Sequence, residues 1–488
     1  MANTTVPSSS KPKPEGLLKQ MASLNRPFWM VNIMEMFERL AYYGVRVVIP
    51  IYIAQADEIG GLQFSQTDKG IIFFWWAIFQ SITPMFSGGF ADRYGFKKTI
   101  GISVAIKVLG YLLMATQREF WPFMIGCCVL ALGTAIFKPG VQGTMVQTIT
   151  KKNSSVGWGT FYMLVNIGGF LGPPLAHFLY GISWPAVFYG CAAIVSLNFL
   201  MLFTYKEVHP GGVQTGGPLQ VLKITAKNLI NPRLAVFILI MSGFWLMFMQ
   251  LFDMLPNFIV DWVDSSAMVA QLGLPDWMLQ ANSTRGPQLS QEWMINANPG
   301  LIILAVVLIS WMVARMRRLT SIFWGITIAS FGLVLAGFTA SGYICMMGIL
   351  VFSVGEMMSS PKMNDYLGVI APDGQKGLYM GYANIPQGIG WAVGSLFAGH
   401  VYDNMGDKAN LAIDYLAKNH SLTDVARPEA MTKLMDITGM DAIAATNMLW
   451  HQYHPYKLWY QFAAIGIASA IGMLIYARWV KKHEAADV

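Results

Sequence analysis

One face of an otherwise apolar segment near the start of the chain is charged. Glu35, Glu38, Arg39, Tyr42 and Arg46 lie within MVNIMEMFERLAYYGVRVVIPIYI. At about 100° per residue, these positions project within roughly a third of a helix circumference. A charge at the centre of a spanning helix costs about 2.5–3.5 kcal/mol on an insertion scale, so such groups pair or line a wet cavity. This face therefore predicts a polar pathway inside a membrane.

The composition excludes a soluble protein of this length, because 55% of the 488 residues are hydrophobic and only 12% are charged. Apolar runs of about 20 residues predict twelve transmembrane helices in an all-α integral membrane protein. The predicted spans are 28–54, 68–91, 98–117, 121–147, 157–180, 183–205, 233–261, 298–315, 321–341, 343–370, 377–402 and 457–478.

Lysine and arginine collect in the connections that share one side of the membrane, which predicts that both termini are cytoplasmic. This topology accounts for the net charge of +7 without a nucleic-acid partner. A Gly- and Pro-rich stretch after the sixth span marks a boundary between two six-helix bundles. The predicted parts are a cytoplasmic tail at 1–27, bundles at 28–205 and 233–480, a linker at 206–232 and a cytoplasmic tail at 481–488, with long extracytoplasmic loops near 263–296 and 403–456.

Neither a metal nor an ATP site is predicted. Cys127, Cys128, Cys191 and Cys345 all lie within predicted spans and have no ligand-like spacing to histidine. No Gly-Lys dipeptide occurs, so the chain has no phosphate-binding loop of the Walker type. No serine-centred or His-rich catalytic arrangement is present. We therefore expect no metal or nucleotide cofactor and no enzymatic activity.

The loop after the second span, GGFADRYGFKKTI, resembles the loop signature of the major facilitator superfamily. The resemblance rests on six residues, although short inside loops of other membrane proteins also carry Asp-Arg and Lys-Lys pairs. The superfamily has two six-helix bundles with inverted repeats. The six residues are Gly88, Asp92, Arg93, Gly95, Lys97 and Lys98.

EMFERLAYYG resembles the first-helix signature of proton-dependent oligopeptide transporters, a family within that superfamily. Arg46 keeps the arginine that this family places one turn further along. Three further segments agree in order: IFKPGVQGT, FYMLVNIGGFLGP and NPGLIILAVVLISW. The resemblance implies a cell-membrane transporter that works as a monomer and takes small peptides or peptide-like solutes together with protons.

The same resemblance assigns roles to individual residues. It implies that Glu38 and Arg39 neutralise each other, while Glu35 exchanges a proton and alternately pairs with Lys138. It places a peptide ammonium at Glu356 and a peptide carboxylate at Arg46 and Lys138. Hydrogen bonds to the peptide would come from Tyr42, Tyr43, Asn166, Gln250 and Asn298. The alternatives are structural ion pairs for Lys138 or Glu356 and amides that only bridge helices for Asn166 or Asn298.

One position departs from the family pattern. The seventh span usually carries Phe-Trp-x-x-x-Glu-Gln, whereas this chain has Met249 before Gln250. In that family the glutamate pairs with an arginine and helps to gate the extracellular side. Asp253, one turn further on, is either a substitute or a solvated carboxylate nearer the outside.

Three other intramembrane groups do not fit the resemblance. Lys107 is expected to extend its charge toward the membrane surface, and His177 and His400 are expected to pack or to lie near the outer interface.

The sequence thus predicts a proton-coupled symporter of di- and tripeptides or similar solutes that works by alternating access. The alternative is a carrier of another organic anion or zwitterion, in which proton coupling is altered or absent. Two further alternatives are not transporters: a membrane receptor and an integral-membrane enzyme.

Overall fold

A computed structural model describes residues 17–84, 91, 93–150, 152–208, 218–280, 283–372 and 376–484. Every regular element in these ranges is helical, apart from single-residue bridges that join Asp264 to Ser341 and Leu279 to Leu289. The first helices are α1 Leu17–Ala22, α2 Arg26–Ala54, α3 Gln66–Ile82, α4 Phe96–Thr116, α5 Phe120–Thr148, α6 Ser154–Tyr180 and α7 Trp184–Leu202.

The described helices continue after the predicted linker. They are α8 Pro218–Leu229, α9 Pro232–Phe248, α10 Gln250–Asp253, α11 Leu255–Trp262, α12 Ser266–Leu272, α13 Gln291–Val313, α14 Arg318–Gly337, α15 Gly342–Ile370, α16 Lys376–Gly381, α17 Asn384–Met405, α18 Lys408–His420, α19 Ala430–Thr438, α20 Ala442–Tyr453 and α21 Leu458–Glu484.

Within the described ranges, eight helical segments are long and apolar enough to cross a membrane. They identify a multi-pass membrane protein. Each of the twelve predicted spans coincides largely with a helix of at least 17 residues. Four of these helices, however, are too short or too polar to be identified as membrane spans by length and composition. One of the four is α2, which carries the charged face. The count of twelve spans therefore stays a prediction.

Small residues set the closest helix crossings. A Cβ atom on Gly172 of α6 would lie 2.7 Å from the backbone nitrogen of Gly44 on α2. Likewise, a Cβ atom on Gly325 of α14 would lie 2.7 Å from the carbonyl oxygen of Gly355 on α15. Glycine at these crossings lets the backbones approach, as is common between helices in membranes.

Within the first half, α2 packs on α6 and α7, and α4 packs on α5 and α7. In the second half, α14 packs on α15 and α21, and α9 packs on α17 and α21. The main contacts between the halves are α3 with α17 and α6 with α13. The predicted linker includes residues 209–217, which lie outside the described residues, so the domain boundaries stay predictions.

Three long connections meet at the end of the molecule where α2 finishes, and we call this end the long-loop end. The connections comprise residues 55–65, 263–290 and 406–457. Arg427 from the third connection donates hydrogen bonds to the carbonyl oxygens of Ala54 and Phe64, each at 2.7 Å, and pairs with Asp407. Trp262, the last residue of α11 before the second connection, donates from Nε1 to the carbonyl oxygen of Gly406 in the third connection at 2.7 Å.

The predicted loop near 263–296 is too long, because α13 already begins at Gln291. The polar residues at its start are buried in the helical bundle, although their polarity favoured a loop. Gln291 donates to the Val47 carbonyl oxygen at 3.1 Å, and Asn296 donates to the Phe170 carbonyl oxygen at 3.0 Å. Both contacts join the second half to the first.

The seam between α3 and α17 should be intolerant of one methyl group. A Cβ atom on Gly70 would lie 2.5 Å from the Ser395 carbonyl oxygen, so Gly70→Ala must displace backbone. We expect an overpacking cost of about 1–3 kcal/mol, seen as a lower apparent melting temperature of the purified protein. Gly368→Ala is the matched control, because nothing lies within 4 Å of that Cβ position. Equal melting temperatures for the two variants would contradict this view of the seam.

The loop carboxyl of Glu58 should make stability depend on pH. Burial raises the pKa of Glu58 to about 7 from its ordinary 4.5, while Trp184 Nε1 donates to this carboxyl at 3.0 Å. The folded state binds this proton more tightly than the unfolded state does. The contribution of Glu58 to the free energy of unfolding is therefore fully present below pH 4.5 and is lost as pH rises through about 7. Glu58→Gln keeps an acceptor and removes the charge, so its melting temperature should change less between pH 5 and 8, an interval of about three units around this pKa. A variant with the same pH slope as the wild type would rule out Glu58 as the source.

Candidate functional site

The charged face of α2 forms the base of the site. The helix begins after Asn25, whose side-chain oxygen accepts from the Phe28 amide at 3.1 Å, and Pro27 follows in the first turn. It then runs uninterrupted to Ala54. Glu35, Glu38, Arg39 and Arg46 are all at most 6% exposed. Because these ionisable groups are buried together, each requires a partner of opposite charge.

A cluster of charges lies around Arg39. Arg39 Nε is 3.2 Å from Glu35 Oε1, and an Arg39 terminal nitrogen also pairs with Glu38. Lys138 on α5 is close enough to interact electrostatically with Glu35, Glu38 and Arg39. In this structure Glu35 pairs directly with Arg39, whereas no ion pair between Glu35 and Lys138 is formed among the described residues.

Lys107 corrects one prediction. Its side chain does not extend to the membrane surface but is fully buried, with Nζ 3.5 Å from Glu38 Oε1. The ammonium also lies 3.5 Å from the centroid of the Phe137 ring. The prediction was wrong because an isolated lysine in a span gives no sign of a carboxylate on a neighbouring helix.

A cavity of about 250 Å³ lies between the two halves, next to this cluster. Its first-half wall includes the cations Arg39, Arg46 and Lys138. Its second-half wall includes the carboxylate Glu356. Further lining residues are Tyr42, Tyr43, Gln80, Tyr162, Asn166, Trp245, Phe248, Met249, Phe252, Asn296, Asn298, Gln387 and Trp391. Charges of opposite sign therefore face one cavity from different halves.

Polar neighbours orient the groups on both walls. Asn298 donates to Glu356 Oε2 and to Ser353 Oγ, each at 2.9 Å. Tyr42 hydroxyl shares a hydrogen bond with the Gln80 side chain, 3.2 Å from its oxygen and 3.1 Å from its nitrogen. The Tyr42 and Tyr43 rings meet edge to face with centroids 5.4 Å apart. Asn298 thus acts within the second half, as a residue that bridges helices would.

Asn166 lines the cavity but uses its amide locally. Asn166 Nδ2 donates to the Tyr162 carbonyl oxygen, one turn earlier in α6, at 2.7 Å. Tyr162 also lines the cavity and is 49% exposed.

At the long-loop side of the cavity, Arg46 pairs with Asp253 across the two halves. Asp253 Oδ2 accepts from Trp391 Nε1 at 3.0 Å and from Ser395 Oγ at 2.9 Å. Asp253 is 1% exposed, so it is not a solvated carboxylate. It holds Arg46 one turn beyond Met249, the position where the oligopeptide-transporter pattern has glutamate.

A proline supports this contact. Pro256 lacks an amide hydrogen, so the Phe252 carbonyl oxygen cannot receive the usual helical bond from it. That oxygen accepts from an Arg46 terminal nitrogen at 3.4 Å instead. Pro174 likewise frees the Phe170 carbonyl oxygen that accepts from Asn296. Two prolines therefore leave backbone carbonyl oxygens free to accept bonds between the halves.

Two groups of predicted residues do not line the cavity. Gln250 is fully buried, donates to the Leu246 carbonyl oxygen at 2.7 Å and faces Gly394 on α17. It points away because one residue of helix rotates it by about 100° from Met249, which does line the cavity. Glu35 and Glu38 lie behind Arg39 rather than on the cavity wall.

The predicted loop motif is only partly described, since Gly88 and Asp92 lie outside the described residues. Gly95 has φ +95°, a backbone conformation that favours glycine. Lys97 Nζ donates to the Tyr205 carbonyl oxygen at 2.8 Å, and its amide lies 3.2 Å from the Glu207 carboxylate. Arg93 and Lys98 are exposed. The described part of the loop is thus tied to the end of α7.

Sequence reasoning missed a second set of contacts between the halves. Lys69 on α3 is 3% exposed and donates to Asn257 Oδ1 at 2.7 Å. Gln55 donates to Asp261 Oδ1 at 2.9 Å. The one available signal was Lys69 itself, a charge at the start of an apolar run. Gln80, Tyr162, Gln387 and Trp391 were also missed, since uncharged residues in spans carry no sign of a cavity.

The two histidines occupy different settings. His177 Nδ1 lies 3.5 Å from Glu292 Oε2, so it faces a carboxylate of the other half. His400 is exposed near the long-loop end of α17, and its carbonyl oxygen accepts from Asn404 at 2.7 Å.

Removing the Asp253 charge should loosen the long-loop side. Asp253→Asn leaves the Arg46 guanidinium buried without its ion pair, which costs about 3–5 kcal/mol. We expect a lower melting temperature and faster maleimide labelling of a cysteine at Val47 by reagent added at the long-loop side, in a background without the native cysteines.

Asp365→Asn is the matched control for this experiment. Asp365 pairs with Arg318 at 2.7 Å, but both side chains are 45% exposed. Such a pair contributes about 0–1 kcal/mol, so stability and labelling should stay near wild type. If Asp253→Asn behaves like this control, the buried pair does not hold the two halves together.

The family model described as "Major Facilitator Superfamily" matches residues 31–395. The multidrug resistance protein MdtH of Sodalis glossinidius (strain morsitans) is 24% identical over 403 residues, which cover 79% of this chain and 88% of the relative. MdtH of Yersinia enterocolitica is 22% identical over 397 residues, with coverages of 79% and 89%.

Solved structures share the fold. The crystal structure of tetrameric PepTSo2 superposes with a TM-score of 0.62 at 17% identity, covering 94% of this chain and 99% of that chain. A transporter of the POT family in complex with 5-aminolevulinic acid gives a TM-score of 0.65 at 15% identity, with coverages of 95% and 99%. The family and fold are those of transporters rather than enzymes. The chain belongs to the major facilitator superfamily.

Proposed function

We propose that this protein is a proton-coupled symporter of di- and tripeptides or peptide-like solutes. The observation that carries the proposal is the cavity between the halves, with Arg39, Arg46 and Lys138 on one wall and Glu356 on the other. A short peptide is a zwitterion whose charges are separated by a few bonds. Opposite walls of opposite charge suit such a solute better than a purely anionic or cationic one.

Contacts along the peptide backbone would come from the polar groups between the walls. Tyr42, Tyr43 and Asn166 line the first half, and Asn298 lines the second. Large apolar side chains such as Trp245 and Phe248 complete the lining. The polar groups lie between the two charged walls, where the backbone of a short peptide would pass.

Glu35 is the group that we assign to proton exchange. Only its Oε1 meets Arg39, and its Oε2 has no hydrogen-bond partner in the part of the chain that the structure describes. The proton affinity of a carboxylate depends on the distance to nearby cations. A helix rearrangement that changes the distance from Glu35 to Arg39 or Lys138 therefore loads or releases a proton.

Alternating access would use the contacts at the long-loop end. Arg46 with Asp253 and Lys69 with Asn257 hold the two halves together there. The distribution of lysine and arginine supports a topology with both termini in the cytoplasm, and in that topology the long-loop end faces outside the cell membrane. The described structure is then closed to the outside, and opening requires these cross-half bonds to break.

The structural neighbours support a peptide-like substrate. They include proteins described as POT family and peptide transporters, one in complex with 5-aminolevulinic acid and one with a thioalcohol-conjugated peptide. Their identity to this chain is 15% in both cases, so the likeness itself shows the shared fold alone, and their ligands enter here only as support for the proposal. The signature EMFERLAYYG supplies the more specific argument.

A second candidate is a carrier of another organic anion or zwitterion, with altered or absent proton coupling. Met249 in place of the pattern's glutamate favours it, because one titratable group is missing from the cavity wall. The relatives named multidrug resistance protein add drugs to the solutes worth testing. Competition against labelled solute by unlabelled dipeptides separates the two candidates.

The deciding measurement is uptake of labelled dialanine into proteoliposomes with and without an inward-directed proton gradient. Wild-type protein should accumulate dialanine only with the gradient. Glu35→Gln should abolish gradient-driven accumulation, at least about a tenfold loss for removing the exchanging group, while Asp365→Asn should retain it. Counterflow without a gradient should persist in Glu35→Gln, because the charged walls remain. Absence of wild-type uptake would exclude dialanine and favour the other-solute carrier.

A further inference from the structure

The buried ammonium of Lys107 lies outside both the cavity and the sequence pattern that identified the charged face. It comes from α4 and is fully buried between α2 and α5. Its methylene stem passes Gly133, where a Cβ atom would lie 2.6 Å from Lys107 Cγ. Glycine at this crossing provides the room that the stem occupies. The first half therefore accommodates a third cation beside Arg39 and Lys138.

Lys107 makes the two carboxylates of the cluster unequal. Glu38 lies between two cations, with Oε1 3.5 Å from Lys107 Nζ and Oε2 paired to Arg39. Glu35 has one direct cation, because only its Oε1 meets Arg39, at 3.2 Å. Its Oε2 has no ion-pair partner among the described residues, whereas each oxygen of Glu38 has one. A carboxylate between two cations keeps its charge more strongly than one beside a single shared cation.

We infer that Lys107 is a positioning residue for proton coupling, which holds Glu38 as the fixed anion of the cluster and leaves Glu35 as the carboxylate that exchanges a proton. The inference deepens the proposed function, and it concerns coupling only because the proposed function is proton-coupled transport. The physical step is simple: the proton moves between water and the Glu35 carboxylate, and Lys107 keeps Glu38 from competing for it.

Without Lys107, one guanidinium would serve two neighbouring carboxylates. Among the described residues, Arg39 would then be the only direct cationic partner of both Glu35 and Glu38, with Lys138 at the cavity wall. Two close carboxylates that share too little positive charge titrate as a pair, and one proton distributes over both. The identity of the exchanging group would be lost, and protonation would extend to higher pH.

Other titratable groups also face this cluster, and the experiment leaves them unchanged. Tyr42, Tyr43, Tyr111 and Lys138 each interact electrostatically with Arg39 or Glu38, while Cys191 interacts with Tyr111. These groups belong to α2, α4, α5 and α7. Comparing variants in one background isolates the contribution of the carboxylates.

The test is infrared spectroscopy of the full-length protein in lipid vesicles, which follows the C=O band of protonated carboxyl groups as pH is varied. In the wild type, one titrating component should disappear in Glu35→Gln and persist in Glu38→Gln. In Lys107→Met the midpoint should move by about one pH unit to higher pH, and Glu38→Gln should now alter it. Lys107→Arg, which keeps the charge, should retain the wild-type midpoint.

Three results would overturn the inference. One is an unchanged midpoint in Lys107→Met, and another is loss of the wild-type component in Glu38→Gln. Lys107→Met leaves Glu38 buried with one cation fewer, which can prevent folding. The double variant Lys107→Met/Glu38→Gln removes both charges of the pair, so it provides a test that does not depend on the folding of the single variant. The double variant should keep the wild-type midpoint and its sensitivity to Glu35→Gln, and loss of that component is the third result.

This readout requires no substrate, so it separates the inference from the proposed function. If wild-type vesicles fail to take up dialanine but show the predicted band pattern, the substrate is wrong and the role of Lys107 stands. If uptake is proton-driven but Lys107→Met has the wild-type titration midpoint, the proposed function stands and the role assigned to Lys107 is wrong.

Discussion

Pairing of buried charges is the constraint on which the rest of this structure depends. The helix α2 carries carboxylates and guanidinium groups at most 6% exposed, in surroundings where an unpaired charge is costly. Some partners come from α2 itself, but Lys107 and Asp253 come from other helices. Each such pair fixes where a neighbouring helix must lie. The charged face thereby determines both the packing of the first half and its contact with the second.

The bonds between halves share a chemical character that suits separation. Several use a backbone carbonyl as acceptor, and two of those carbonyls are freed by Pro174 and Pro256. Around them lie individual polar contacts, such as Lys69 with Asn257 and Gln55 with Asp261. Polar contacts of this kind exchange for water at modest net free energy when they open. An interface of interlocked apolar side chains would not separate so readily.

Local periodicity made much of the fold predictable from the sequence. The charged face of α2 and its burial follow from helical spacing and from the cost of charge in a membrane. Partners on other helices were harder to predict. The sequence around Lys107 did not indicate its contact with Glu38, and the polar residues from Gln291 resembled a loop. Gln250 was predicted from the family pattern, but its neighbour Met249 faces the cavity instead. In each case the decisive quantity is the position of a second helix, which one sequence does not specify.

The contact made by Arg427 has an evolutionary consequence. Its guanidinium meets the carbonyl oxygens of Ala54, Gln63 and Phe64, so the first half contributes backbone rather than side chains. Substitutions at those three positions leave the acceptors in place. A change of side chain at these positions therefore requires no compensating change at Arg427 to keep this bond. Methods that infer contacts from correlated substitutions would find no trace of this bond between the halves, however important the bond is to the closed state.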